Sequence, residues 1–400
     1  MLAESGNGHF GAIVTGADYR GLGLVRSLGR RGIPVWVLKN GNHLLATFSR
    51  FAQRIIHWPS GSQPTRVQFL LDIAERYDLH GWVLLPTDDA AVSMISQHYD
   101  ILGKVFRLTT PPWPELGRIV DKWLLYSLAL ELRIPRPWTS LPKTREELLR
   151  FRRPFPVILK PRWRESSNAL TDAKAWRVDN LDDLLARYDE ACALFAPDMI
   201  MIQEIIPGAG ESQLSFAALC DRGQVLASLT ARRSRQFPMD YGRQSTFVET
   251  IEAPEIVELS CRLLAALKFT GIVEVEYKQD QRDGQCKLLE MNPRVWGWQT
   301  LCGRAGVDFP YLLWLLIQGR LVPPLRGRPG VRWTRMITDV PISLREIAGG
   351  RMSPASYFRS LRGPREPAIS SIDDPLPGLM EIPLMIYLFG KRILTGNRAW

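Results

Sequence analysis

The sequence predicts an α/β protein whose first part is a parallel sheet and whose later part is an antiparallel α+β region. Of its 400 residues, 46% are hydrophobic and 23% are charged, a balance typical of a globular protein of two or three domains. Near the N-terminus, apolar strands alternate with helical patterns, whereas after residue 200 strands follow one another closely. These three observations favour helices on a parallel sheet, followed by an α+β part.

The first lobe begins with a strand, helix and strand over residues 11–38, joined by a turn that contains glycine. Residues 81–92 repeat the pattern, with a buried strand that ends at a polar loop. We therefore predict a Rossmann-like domain over residues 1–112. Its glycines lack the G-x-G-x-x-G spacing and no acid closes the second strand, so nicotinamide binding is not favoured. Secondary candidates for substrate contact stand at strand ends: Lys39, Thr87, Asp88 and Asp89.

A proline cluster after residue 109 marks a domain boundary. Beyond it, residues 154–170 predict a strand that ends at Lys160, and residues 270–292 predict an antiparallel pair that turns at Asp283 and Gly284. We predict a second domain over residues 113–318, with lobes of about 113–200 and 201–318.

The remaining residues, 319–400, predict an irregular basic extension. The net charge of the chain is +10, and residues 320–400 hold 12 Arg and one Lys against six acids. An apolar run before Lys391 and Arg392 is too short to span a bilayer, and Arg398 follows it. It is suited to an anionic membrane surface or a partner protein, and the alternative is a helix that packs on the catalytic domain. Nucleic-acid binding is not expected, because the basic and aromatic residues do not interleave as in an RNA-binding sheet.

Cysteine and histidine usage narrows the chemistry. The five cysteines form no C-x-x-C pair, and the N-terminus lacks a basic and then apolar signal, so we expect a cytoplasmic protein, with peripheral membrane contact left open. No histidine follows His98. A Ser/His/Asp triad and a His-based zinc site are therefore excluded from the later part of the chain.

Three polar residues on alternate positions form the central motif, L-L-E-M-N-P-R at 288–294. In an extended strand Leu288, Glu290 and Asn292 point to the same side, and so does Arg294 if Pro293 does not bend the chain. If the hairpin turns about Asp283, Glu276 lies opposite Glu290. Two carboxylates about 4 Å apart repel by ~4 kcal/mol at an intermediate dielectric. The pair therefore predicts a bound hard cation such as Mg²⁺, and the alternative is a solvated acidic face balanced by lysines.

The order of these motifs resembles the ATP-grasp superfamily over about residues 110–305, and in particular its carboxylate-amine ligase branch. The resemblance rests on Lys122, Lys160, M-I-Q-E-I-I-P-G at 201–208 and, above all, L-L-E-M-N-P-R at 288–294. It implies a two-lobed ATP-grasp fold after the Rossmann-like lobe, with ATP and Mg²⁺ as cofactors. Two magnesium ions are expected, and Mn²⁺ could replace them.

The resemblance also implies roles for individual residues. Lys122 and Lys160 would contact the ATP phosphates, and Arg294 would lie beside the transferring phosphoryl group. Adenine would be held by main-chain groups of Gln203, Glu204 and Ile206. The carboxylate of Glu211 would accept hydrogen bonds from the ribose hydroxyls. The expected metal ligands are Glu276, Glu290 and Asn292, and the expected catalytic residues are Arg294, Lys160 and Arg235.

Two loops complete the expected site. Residues 162–170 would form the loop that covers the phosphates, but they lack the glycines usual in such a loop. Hydrogen bonds to the phosphates could come instead from Ser166, Ser167 and Asn168. The charges of Arg162 and Arg164 could offset the loss of close main-chain contacts. In residues 231–250, which also hold Arg232 and Arg243, Arg233 or Arg235 would bind the substrate carboxylate or acyl phosphate; the alternative is a solvated basic turn. For Trp296 and Trp298 we favour packing over substrate stacking.

The resulting hypothesis is a ligase that activates a carboxylate as an acyl phosphate, joins it to an amine and releases ADP and phosphate. Its substrates would be a small carboxylate and a small amine, and a homodimer is compatible with the sequence. The alternatives are another ATP-grasp chemistry, such as carboxylation or phosphorylation, and a non-catalytic ATP-binding protein.

Overall fold

The structure is a computed structural model that describes residues 10–41, 43–163, 170, 175–208, 210–237, 239 and 244–395, with residues 392–395 described in their backbone alone. Several residues named above lie outside the described part of the chain: Arg164, Ser166, Ser167, Asn168, Arg243 and Arg398. The expectations that concern them stay predictions.

A five-stranded parallel sheet forms the first lobe, in the order β3-β2-β1-β4-β5. Its strands are β1 (Ala12–Val14), β2 (Val35–Lys39), β3 (Arg54–His57), β4 (Val83–Leu85) and β5 (Arg107–Leu108). Its helices are α1 (Tyr19–Gly29), α2 (Gln63–Tyr77), α3 (Asp89–Gln97) and α4 (Tyr99–Leu102), with a short 3₁₀ turn at Leu45–Phe48. This is the parallel α/β lobe that the sequence predicted.

The turn between β1 and α1 is closely packed. The Asp18 carboxylate caps α1 by accepting hydrogen bonds from the backbone N–H groups of Arg20 and Gly21, at 2.9 and 3.1 Å. A Cβ atom on Gly21 would lie 2.0 Å from the carbonyl oxygen of Gly16. Glycine at position 21 therefore allows the helix to approach the turn.

Two helices, α5 (Trp113–Val120) and α6 (Lys122–Glu131), lead to a second sheet of four strands in the order β6-β9-β7-β8. Its strands are β6 (Thr139–Ser140), β7 (Val157–Pro161), β8 (Trp176–Val178) and β9 (Ile200–Glu204). The helices α7 (Arg145–Leu149) and α8 (Leu181–Cys192) and a 3₁₀ turn at Pro197–Met199 accompany it. Lys160 thus lies on β7, next to the strand that carries Gln203 and Glu204.

The third and largest sheet has eight strands, seven of them in the order β14-β13-β10-β11-β12-β16-β17, while β15 pairs with β11. Before residue 318 it contains β10 (Gln213–Asp221), β11 (Gln224–Phe237), β12 (Gln244–Ile251), β13 (Gly271–Gln279) and β14 (Cys286–Asn292). A 3₁₀ turn at Gly210–Ser212 precedes them, and three helices accompany them: α9 (Pro254–Leu267), α10 (Gln299–Arg304) and α11 (Phe309–Ile317).

Residues after 318 continue this sheet, so the extension is more regular than its composition suggested. It adds β15 (Leu325–Arg326), β16 (Arg332–Thr334) and β17 (Arg365–Pro367). It also adds three helices, α12 (Met336–Ala348), α13 (Pro354–Ser360) and α14 (Leu376–Thr395). The ladder between β12 and β16 supplies backbone hydrogen bonds that composition alone does not reveal.

A buried ion pair ties the extension to the first lobe. Arg26 of α1 donates through Nε to Asp374 at 2.8 Å, and both side chains are at most 5% exposed. Asp374 also accepts from the Ser49 hydroxyl at 2.7 Å and from the Arg50 backbone N–H at 3.0 Å. The segment that begins α14 is therefore fixed against the first lobe. Among the described residues, no helix combines the length and apolar character that a bilayer crossing requires.

Candidate active site

A cavity of about 1220 Å³ opens between the three sheets and helix α14. Most of the predicted site residues line it: Lys122, Lys160, Gln203, Glu204, Ile206, Glu276, Glu290, Asn292 and Arg294. Arg233 also lines it, whereas Glu211 and Arg235 are not among its lining residues. The fold thus brings together side chains from sequence positions 122 to 294.

The β13–β14 hairpin places the two predicted carboxylates face to face. Glu276 pairs directly with Glu290 in the antiparallel ladder, as the turn at Asp283 and Gly284 predicted. The register shifts between Glu276 and Tyr277, where Tyr277 pairs with Leu288. This bulge turns Leu288 away from Glu290 and into the hydrophobic core. The prediction that Leu288 shares the face of Glu290 was therefore wrong.

Glu274 is a third carboxylate of the hairpin, which the sequence analysis did not single out. It is 3% exposed and accepts hydrogen bonds from the Ser215 hydroxyl and the Trp298 indole N–H, both at 3.0 Å. Burial, and then the charge of Glu276, raises the pKa of Glu274 to about 7. The alternation of Glu274 and Glu276 on one strand was the available sequence signal.

Cationic and amide groups surround Glu276. Its Oε2 accepts from Arg233 Nη1 at 2.5 Å and from Gln213 Nε2 at 3.0 Å, while its Oε1 accepts from Asn292 Nδ2 at 3.0 Å. Buried Nε of Arg233 has no hydrogen-bond partner within the part of the chain that the structure describes. Arg233 therefore retains one buried N–H that a hydrogen-bond acceptor would satisfy.

The donor set around the hairpin fits a hard cation. The carboxylates of Glu276 and Glu290 oppose each other, and Asn292 adds an amide group on the same side. Within the described residues, no group of three or more His, Cys, Asp or Glu side chains forms a ready metal cluster. Mg²⁺ commonly takes only one or two carboxylates and completes its shell with phosphate oxygens and water. These residues thus suit a metal that arrives with a phosphate ligand.

The two predicted lysines lie near Glu290. Lys122 Nζ is 3.9 Å from Glu290 Oε2, and Lys160 Nζ donates to the Tyr126 hydroxyl at 3.1 Å. Burial lowers the pKa of Lys160 to about 8, although the charge of Glu290 acts in the opposite direction. A phosphate group beside Lys160 would favour its charged form.

The predicted adenine segment follows β9 at the cavity wall. Gln203 is buried and donates to the Thr139 hydroxyl at 2.9 Å. The Glu204 carboxylate accepts from the Trp138 backbone N–H and from Arg282, both at 2.8 Å. The Glu204 backbone N–H also donates to the Trp138 carbonyl oxygen at 3.0 Å, so side-chain and main-chain contacts both fix this segment at the cavity wall.

Glu211, the predicted ribose ligand, is exposed and lies in the 3₁₀ turn Gly210–Ser212. It is not among the residues that line the cavity, and its role as a ribose ligand stays a prediction. Gln213, two positions later, does line the cavity.

Arg294 is held by the first lobe. Its Nε lies 2.5 Å from Asp89 Oδ1, and its Nη2 donates to Asn292 Oδ1 at 3.3 Å. Burial opposes ionisation of Asp89, but the charge and hydrogen bond of Arg294 outweigh it and lower the Asp89 pKa to about 2. Asp89 begins α3, so a secondary candidate of the first lobe meets the central motif.

The alternatives Arg233 and Arg235 occupy different surroundings. Arg235 donates through Nε and Nη2 to the two carboxylate oxygens of Asp339, each at 2.8 Å. Its guanidinium lies 4.1 Å from the centre of the Phe247 ring. Irregular pairing with β12 between positions 232 and 235 interrupts the alternation of side chains. Arg235 is therefore engaged in a buried ion pair, and Arg233 faces the cavity.

Trp296 and Trp298 are packing residues in this structure. They are 2% and 1% exposed, and their ring centres lie 5.4 Å apart. Trp298 also positions Glu274 through its indole N–H. Trp296 additionally contributes to the cavity wall.

Comparison with known proteins gives a consistent result. The family model described as "ATP-grasp in the biosynthetic pathway with Ter operon" matches residues 196–336. A D-aspartate ligase from Enterococcus faecium is 24% identical over 316 residues, which cover 74% of this chain and 73% of that protein.

Solved structures share the fold. An L-amino acid ligase from Bacillus licheniformis has a TM-score of 0.60 at 15% identity, with 78% of this chain and 75% of that chain covered. A biotin carboxylase from Campylobacter jejuni has a TM-score of 0.60 at 16% identity, with 80% and 73% covered. The ATP-grasp family match therefore covers residues 196–336, and the fold of the chain is similar to that of the L-amino acid ligase. The ATP-grasp match and the two ligases support the predicted similarity to ATP-grasp carboxylate-amine ligases.

Proposed function

We propose that this chain is an ATP- and Mg²⁺-dependent ligase that activates a carboxylate as an acyl phosphate and condenses it with an amine, releasing ADP and phosphate. The observation that carries the proposal is the opposition of Glu276 and Glu290 in the cavity that also holds Lys122, Lys160 and Arg294. Both substrates are small molecules in this proposal.

Activation is needed because a free carboxylate is a poor electrophile, since attack by an amine would have to expel oxide. Transfer of the γ-phosphoryl group to a carboxylate oxygen breaks the bond to ADP and creates phosphate as a stable leaving group. The amine then attacks the acyl carbon, the C–N bond forms and phosphate departs. The protein contributes position and charge to both steps.

The nucleotide would lie between the second and third sheets. Gln203, Glu204 and Ile206 would hold adenine through main-chain groups, while Lys122 and Lys160 would bind phosphate oxygens. Glu276, Glu290 and Asn292 would hold two Mg²⁺ ions, or Mn²⁺ in their place, which supply positive charge to the transferring phosphoryl group.

The arginines would divide the remaining work. The planar fork of Arg294 suits two oxygens of the transferring phosphoryl group, and Asp89 orients it from the first lobe. For the substrate carboxylate we favour Arg233 over Arg235, because Arg233 lines the cavity with a buried Nε that lacks a partner among the described residues.

The fate of ATP tests this proposal. With a suitable acid, Mg²⁺ and hydroxylamine as a general amine, a hydroxamate should form, with ADP and phosphate in equal amounts. Omission of Mg²⁺ should stop all three. Production of AMP would indicate adenylation, and phosphate retained on a hydroxyl group would indicate a kinase; either result would overturn the ligase assignment.

We also propose a cytoplasmic location with peripheral membrane contact through α14. The outward side of this helix exposes Leu379, Ile382 and Ile386, at 70%, 62% and 68%, and Lys391 follows on the same helix. Flotation with anionic liposomes checks the contact, with Ile382→Asp as the disrupting variant. If the wild-type chain does not float, the membrane contact is wrong. We propose in addition that the chain forms a homodimer, and light scattering would measure its mass in solution.

A further inference from the structure

The C-terminal helix contributes a wall to the catalytic cavity. Its partly buried residues recur at helical spacing, and Glu381, Leu384 and Leu388 lie on this side. All three line the same cavity as the central motif, together with Met385 and Phe389. The helix therefore adds four apolar side chains to the cavity wall, beside the charged Glu381 and Lys391.

An ion pair fixes the helix turn that carries this wall. Arg335 donates through Nε to Glu381 at 3.2 Å, and the two side chains are 13% and 15% exposed. Arg335 also donates to Gln244 at 3.1 Å, and its guanidinium lies 4.6 Å from the centre of the Tyr19 ring. The inner turn of α14 is thus held against both the first lobe and the third sheet.

Positive charge connects this wall with the phosphoryl end. Burial raises the pKa of the Tyr19 hydroxyl, and three nearby arginine charges oppose that rise: those of Arg335, Arg20 and Arg233. Arg20, like Arg294, also lowers the pKa of Asp89. A carboxylate would be drawn to this basic side, and its carbon body would meet the apolar wall.

We propose that the acid substrate carries an apolar chain or ring, and that this group lies against Leu384 and Leu388 of the C-terminal helix. The inference rests on the proposed ligase function and deepens it, because it assigns specificity to a segment outside the two ATP-binding sheets. Small acids without such a group leave the apolar wall exposed to water, so they gain no binding free energy from its burial.

Hydroxamate formation measures acid specificity without knowledge of the amine. We would compare acetate with hexanoate, and alanine with leucine, because each pair differs in its apolar part. Since one methylene group in an apolar pocket is worth roughly 10-fold or more in kcat/KM, the apolar member of a pair should be favoured at least 10-fold. Leu384→Asn and Leu388→Asn should each reduce that preference to near unity.

Leu379→Asn is the matched control, since Leu379 lies on the same helix, is 70% exposed and is not among the cavity-lining residues. It should leave the preference unchanged, and thermal melting should show that all three variants are folded. Hydroxamate formed equally well from both members of each pair, or an unchanged preference in both folded cavity variants, would overturn this inference alone. Absence of hydroxamate from all four acids would instead overturn the proposed function.

Discussion

At the scale of single residues, Glu290 and Lys160 carry charge that the proposed reaction requires. Glu290→Gln removes a proposed metal ligand, and Lys160→Met removes a proposed phosphate contact. We expect each to abolish turnover, while thermal melting shows a folded protein, because neither change opens a cavity in a hydrophobic core. Turnover is measured as ADP release.

The control for this pair is Glu258→Gln, because the Glu258 side chain is 75% exposed and pairs only with Arg262 among the described residues. It should keep wild-type turnover. Wild-type activity in a folded Glu290→Gln variant would remove the hairpin carboxylates from the site.

For Arg294 the geometry of the fork matters as well as its charge. Lysine keeps the charge but cannot bind two oxygens at once, so Arg294→Lys should lower kcat by about 100-fold, the typical effect of losing one transition-state donor. Single-turnover ADP formation measures it. Activity close to wild type would reduce Arg294 to a structural partner of Asp89.

Glu274 predicts a pH dependence of stability. Its pKa rises from 4.5 to about 7 in the folded state. Between these values the folded state binds more protons than the unfolded state, so its contribution to stability falls as the pH rises through this window. Glu274→Gln should therefore flatten the decline of Tm between pH 5 and pH 8, in roughly that window. Parallel melting curves of variant and wild type would contradict the raised pKa.

At the scale of elements, the β13–β14 hairpin was predicted well because its signals are local. The Asp283-Gly284 turn set the register that opposes Glu276 to Glu290. The bulge that turns Leu288 inward was not predicted, since it depends on core packing with Met291 and Tyr277. Long-range packing likewise separated Arg233 from Arg235, because Asp339, which binds Arg235, lies 104 residues away.

The turn itself can be tested. Gly284 has φ +75°, a conformation that costs a residue with a Cβ about 1 kcal/mol or more. Gly284→Ala should lower the free energy of unfolding by about that amount and leave kcat nearly unchanged, as denaturant titration and ADP release would show. The control is Gly390→Ala in α14, where a Cβ meets nothing within 4 Å and helix propensity improves. A destabilised control would mean that methyl addition, not the turn conformation, is responsible.

At the scale of the whole molecule, one buried ion pair joins the two ends of the chain. Asp374→Asn would leave Arg26 buried without its partner charge. We expect a loss of about 3 kcal/mol in the free energy of unfolding, as is usual when one partner of a buried pair is removed. Denaturant titration measures it.

The neighbouring pair is the control. Arg30 and Asp373 are 40% and 48% exposed, and exposed pairs contribute at most about 1 kcal/mol. Asp373→Asn should therefore have a small effect. Equal losses in both variants would indicate that burial does not govern the Arg26–Asp374 contact.

The same contact has a consequence for synthesis on the ribosome. Arg26 is made early, and the residue that neutralises it follows 348 positions later. The strands of the first lobe have all been synthesised by Leu108. For most of the remaining translation, however, the Arg26 guanidinium lacks the carboxylate of Asp374 as its partner. Since domains generally fold as they are made, N-terminal part first, the early lobe should be loosely closed on the nascent chain. It should become resistant to proteolysis only after the C-terminal segment is released.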